Sequence, residues 1–144
     1  MSTLWEETDE DYLDLVKEWT DPYPNPEIIE HDGIHVVRDD LLNAGSKVRF
    51  IDYLISSNKE INEWVFGSCP ATGYAQISLP IACKKHNKKA VLFMAKRDEK
   101  NFTEYQKRGI ELGVDYHWVE NGMLTVTQKR AKDYAAESSD RMVL

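Results

Sequence analysis

The stretch best equipped for chemistry is Arg38-Asp39-Asp40-Leu41-Leu42-Asn43-Ala44-Gly45-Ser46-Lys47-Val48-Arg49. Two acids lead into a small-residue turn, and Lys47 falls in the first turn of a predicted helix. Backbone N–H groups at a helix start carry partial positive charge, which favours anions and makes an ammonium less comfortable. A lysine that gives up its proton can condense with an aldehyde, so Lys47 is the candidate catalytic amine. The plain alternative is a solvated lysine in a strand-to-helix loop. The second chemical stretch is Gly67-Ser68-Cys69-Pro70-Ala71-Thr72-Gly73-Tyr74-Ala75. Its small residues let backbone N–H groups approach a ligand, yet it matches neither common phosphate-loop pattern and also reads as a tight turn.

The elements that must carry these loops follow from the spacing of apolar residues. Residues 2–19 have an acidic entry followed by Tyr12, Leu13, Leu15, Val16 and Trp19, which predicts an amphipathic helix. Pro22, Pro24 and Pro26 then impose an extended connector. Short β-type runs follow at 27–30 and 34–37, across the turn His31-Asp32-Gly33. Beyond Lys47 the chain alternates: a helix from the lysine loop to Ser56-Ser57-Asn58, a strand at 64–66, a helix over 73–86, a strand at 90–94, a helix over 101–112, a strand at 114–119, a helix over 124–136 and a last strand from Arg141. Short apolar runs separated by helices predict parallel βαβ crossovers and a three-layer α/β sandwich. The division is 1–33, a helix and connector, and 34–144, the parallel α/β domain. Pro80 predicts a kink near Gln76. Trp64, Phe66, Phe93 and Trp118 read as core.

Composition narrows the function classes. The chain has 144 residues, with 25 acids against 18 bases and a formal charge of −7, which disfavours phosphate-backbone binding. The cluster Lys84, Lys85, Lys88 and Lys89 reads as a solvated helix C-terminus rather than a nucleic-acid patch. No apolar run could span a bilayer and no secretory leader is evident, so the expectation is a cytoplasmic protein with no membrane partner. His31, His35, His86 and His117 show no ligand spacing, and no metal is assigned. Cys69 and Cys83 form no CxxC pair. Cys69, near a helix start, is either a nucleophile or a packing residue. Asp39 and Asp40 would be magnesium ligands under a receiver-like or flavodoxin-like reading.

Taken together, Arg38-Asp39-Asp40-Leu41 with Gly45-Ser46-Lys47-Val48-Arg49 resembles the cofactor-lysine segment of the fold-type II pyridoxal-phosphate enzymes. The similarity is to the aminocyclopropane-carboxylate deaminase and D-cysteine desulfhydrase branch of that tryptophan-synthase-β-like family. The loop Ala71-Thr72-Gly73-Tyr74-Ala75-Gln76 resembles its substrate and cofactor loop. The resemblance implies pyridoxal 5'-phosphate as cofactor, with Lys47 as its covalent anchor, and Thr72 and Gly73 binding a small amino-acid substrate. Tyr74 stands beside the cofactor where the family carries asparagine. The family's phosphate-binding loop belongs to a later half, so the resemblance covers an N-terminal half only. It implies a lyase or deaminase present as a partial chain or one part of a split enzyme, completed by a homodimer or a complementary C-terminal half. The alternative is a non-catalytic α/β binding or assembly module derived from that family.

Overall fold

Strand residues with apolar side chains on both faces dictate a sheet covered on both sides. Strands β3 (Glu63–Phe66) and β4 (Lys89–Ala95) are of this kind. Trp64, Leu92 and Met94 enter one buried cluster, while Val65, Val91 and Phe93 enter a second. The computed structural model describes Lys17 and residues 20–144. The helix expected over 2–19 therefore lies outside the described residues, apart from Lys17, which is helical.

The main sheet has four parallel strands in the order β5-β4-β3-β6, with β5 at Asp115–Val119 and β6 at Arg141–Val143. Helix α1 (Lys47–Ser57) packs beside α2 (Ala75–Lys85), and α2 covers the Trp64 face through Leu79, Ala82 and Cys83. Helix α3 (Glu104–Glu111) lies on the same side, against α2. Helix α4 (Leu124–Ala136) covers the opposite face through Ala131. The three layers expected from the sequence are present. Ahead of them, β1 (Ile28–His31) and β2 (Ile34–Val37) form an antiparallel hairpin whose eight strand residues are all exposed. Its turn, Asp32-Gly33, uses positive φ at both positions.

One local departure from the sequence reading has a plain cause. Helix α3 starts at Glu104 rather than Asn101, because the Thr103 hydroxyl accepts from the Gln106 N–H while the Gln106 side chain accepts from the Thr103 N–H. This reciprocal cap fixes the boundary. Pro80 is carried inside α2, which continues through it as one helix. The Gln76 carbonyl that Pro80 leaves without its helical donor faces Gly109, where a Cβ would come within 3.3 Å of that oxygen.

Candidate functional site

Lys47 is the first residue of α1, as its position after Gly45-Ser46 predicts. Gly45 makes the turn possible by adopting φ +68°, a region costly for residues with a Cβ. The parallel sheet brings the start of α1 to the same edge as the loop leaving β3. Ser78, buried on α2, donates its hydroxyl to the Ala44 carbonyl at 2.7 Å and lies 3.1 Å from the Tyr74 carbonyl. One hydroxyl thus stands at the junction of both loops. The Tyr74 ring lies flush on Gly45, so that a Cβ there would sit 3.0 Å from Cε1. Its other side meets Tyr105 edge-on, with ring centroids 5.9 Å apart.

The result is an open cleft of about 350 Å3 lined by Asp39, Asp40, Gly45, Ser46, Lys47 and Tyr74. Lys47 is exposed and makes no hydrogen bond or ion pair with any described residue. Tyr74 forms a wall of the cleft and leaves its volume open. Lys47 and Tyr74, two of the four residues singled out in the sequence, therefore share one cleft. Thr72 and Gly73 lie just ahead of Tyr74, outside the residues that line it. The Thr72 side chain is exposed, and the Gly73 N–H is already committed to the Pro70 carbonyl at 2.8 Å.

Beneath that loop the packing is specific. Gln76, fully buried, donates to the Ala71 and Gly73 carbonyls at 3.1 and 3.0 Å and accepts from the Tyr116 hydroxyl at 2.9 Å. The Thr103 hydroxyl donates to the same Ala71 carbonyl at 2.7 Å. Cys69 fills the space below Gly73, where a Cβ would come within 2.6 Å of its sulfur. Burial pushes the Cys69 thiol up, against smaller opposing effects of the Gln76 N–H, Lys47 and the Ala75 N–H. A buried thiol held protonated is a packing group. Both cysteines are free, and burial pushes Cys83 up to about 12.

The acid pair has a structural occupation. Asp40 takes two hydrogen bonds from Arg38, each 2.8 Å, and Asp39 takes two from Arg49, at 2.9 and 3.2 Å. Arg49 also reaches Asp21 at 2.6 Å, tying the proline connector to the foot of the hairpin. With both carboxylates engaged by guanidinium groups, the magnesium reading of Asp39 and Asp40 falls. Among the described residues no group of three or more His, Cys, Asp or Glu side chains could hold a metal. Three of the four lysines in the cluster are likewise tied down: Lys85 to Asp52, Lys88 to the Lys59 carbonyl, and Lys89 to Glu63 and Asp115.

Comparison with solved structures places this architecture. The chain is similar to an O-acetylserine-dependent cystathionine β-synthase from Helicobacter pylori, with TM-score 0.65 and 19% identity, over 83% of this chain and 43% of that one. It is also similar to a cystathionine β-synthase from Bacillus anthracis, with TM-score 0.52 and 21% identity, over 70% of this chain and 39% of that one. The fold is that of part of a fold-type II pyridoxal-phosphate enzyme. The chain thus spans under half the length of the structures it matches. No protein-family model and no curated protein matches the sequence. No helix among the described residues is long and apolar enough to cross a membrane.

The cleft brings together side chains whose chemistry is compatible with one end of pyridoxal phosphate. An accessible primary amine stands in a pocket beside an aromatic ring, which suits an aldehyde on a planar heterocycle. The phosphate end has no such counterpart among the described residues, since the same cleft presents Asp39 and Asp40 and its neighbouring arginines are spent on them.

Proposed function

We propose that this chain is the lysine-bearing part of a pyridoxal-phosphate-dependent lyase or deaminase acting on a small amino acid. The observation that supports it most is the meeting of an exposed Lys47 and the Tyr74 wall in one cleft at the edge where open α/β sheets bind ligands. When bound, the cofactor supplies the electron sink for bond cleavage next to the amino group. The chain's own work is positional. The Lys47 Nζ would hold the cofactor's aldehyde end and, once released, would be placed to move a proton at the substrate α-carbon. Tyr74 would wall the ring on one side, and the exposed Thr72 hydroxyl, just outside the lining of the cleft, would take a carboxylate oxygen. With its N–H spent on Pro70, Gly73 contributes room for Cys69 rather than a donor to the substrate.

The missing phosphate cradle falls to a second unit, either a complementary half or another copy of this chain. The β1–β2 hairpin supports such a partner, because Ile28, Ile34 and Val37, with Leu41 beyond, are 55–66% exposed on a ribbon with no covering layer among the described residues. The second reading, a non-catalytic α/β module, is favoured by that same half-fit. Titration with pyridoxal phosphate, followed by visible absorbance in wild type and Lys47→Ala, separates them. Saturable absorbance lost in the variant supports the cofactor reading. Equal, unsaturable signals in both leave the module.

A further inference from the structure

Strands β4 and β5 are neighbours, but the chain leaves them toward opposite faces. From β4 it runs to α3, on the Trp64–Leu92 side, where Gly109 packs against Tyr116. From β5 it runs to α4, on the Val65–Phe93 side. Where the helices after two adjacent parallel strands diverge, a crevice opens beyond the carboxyl ends, and open α/β sheets characteristically bind ligands there. In this chain the crevice is a cleft of about 540 Å3 whose charged and polar walls are Lys96, Arg97, Asp98, Asn101, Glu120 and Asn121. It shares no lining residue with the Lys47 cleft. Gly122 keeps its floor tight, since a Cβ there would lie 2.6 Å from the Ala95 Cα.

The charges in this crevice select the ligand. Lys96 and Glu120 pair with each other across the two loops. Arg97 spends one donor on the Asn101 carbonyl at 3.3 Å and has no carboxylate partner among the described residues. The Asp98 side chain caps nothing and makes no ion pair with a described residue, although it lies near enough to Lys96 to favour that ammonium after Glu120 does. One guanidinium and one carboxylate are thus left over in a single cleft. A phosphate or other dianion entering it would face two carboxylates, and a simple cation would face two basic side chains. A molecule carrying both charges meets a partner for each.

We infer that the β4–β5 crevice binds a small zwitterion, a free α-amino acid, with Arg97 taking the carboxylate and Asp98 the ammonium. This inference does not depend on the cofactor reading, because the crevice and the Lys47 cleft are separate. The test is a titration of the full chain without cofactor, followed by amide chemical shifts, using glycine, acetate, methylammonium and inorganic phosphate. Glycine is expected to saturate the amides of residues 96–101 and 120–122, binding at least about tenfold more tightly than the other three probes. Arg97→Gln and Asp98→Asn should each weaken glycine binding about tenfold or more without moving the melting temperature, while Lys47→Ala leaves it unchanged. Absence of saturable glycine binding overturns the proposal, as does phosphate binding at least as tightly as glycine, indifference to Arg97→Gln and Asp98→Asn, or loss of binding in Lys47→Ala.

Discussion

The two ends of the parallel sheet differ in how completely their charges are matched. At the amino end, one buried and one half-buried carboxylate are matched by partners. Asp52, 3% exposed on α1, accepts from the Tyr23 hydroxyl at 2.7 Å and the Lys85 ammonium at 2.6 Å, and meets the His86 ring at 2.5 Å. Glu63 accepts from the Tyr134 hydroxyl at 2.6 Å and is held by Arg141 at 2.9 Å and Lys89 at 3.3 Å. At the carboxyl end, Lys47, Thr72, Arg97 and Asp98 stand exposed with side-chain donors or acceptors left over. Buried charge demands partners, so a matched cluster is a structural device. Reactive or recognising groups must be left open, and in this fold they gather where the loops into the helices lie. The division between the two ends puts the buried matched clusters at one and the open side chains at the other.

The largest expected effect comes from breaking the amino end. Asp52→Ala removes the acceptor of three groups and should cost about 3 kcal/mol in urea unfolding, the lower end for a broken buried pair because Lys85 and His86 can rehydrate. Burial alone would raise the Asp52 carboxyl, but the hydrogen bonds from Lys85, Tyr23 and His86 outweigh it and hold the group below its ordinary 3.8. The unfolded chain therefore takes up this proton first as the solution is acidified. The stabilisation is fully present above 3.8 and drains away as pH falls through the lower folded value. The gap between wild type and Asp52→Ala should accordingly narrow on titration below 3.8, and a gap that widens would contradict the assignment.

Removing the hydroxyl that joins the two loops is the next largest perturbation. Ser78→Ala leaves the Ala44 carbonyl without its donor and should cost about 1–3 kcal/mol by the same unfolding assay. It should also loosen the Lys47 loop, read as faster amide exchange at residues 44–47. Gly45→Ala forces a Cβ into positive φ and against the Tyr74 ring, costing about 1–2 kcal/mol and pushing that ring out of place. The smallest effect belongs to Lys47→Ala, within about 0.5 kcal/mol of wild type in stability, because the amine has no structural partner to lose.

Much of the fold was legible because the interior strands wear apolar residues on both faces. The run from Ala90 to Met94 admits few readings other than a covered parallel strand, and Gly45-Ser46-Lys47 marked a helix start that α1 confirms. What stayed hidden depends on residues far apart in sequence. Ser78 and Ala44 are 34 positions apart, as are Asp52 and His86, and no local pattern signals either pair. Asp52 sits at helical spacing among Val48, Ile51 and Ile55 and passes for one polar interruption of an apolar stripe. Asp39 and Asp40 invite a metal until their arginines are seen. The β4–β5 crevice needs the strand order, because the divergence of α3 and α4 exists only once β6 is known to return beside β3.

The central claim is that Lys47 is an amine kept free for an aldehyde at the carboxyl end of the sheet. Its most direct test is to mix the chain with substoichiometric pyridoxal phosphate, fix the adduct with borohydride and map it over all twelve lysines by peptide mass. The account predicts that the label concentrates on Lys47 and stays there when the exposed Lys84 is replaced by glutamine. Label spread over the exposed lysines in proportion to their accessibility, with Lys47 no different from Lys100 or Lys132, would contradict it.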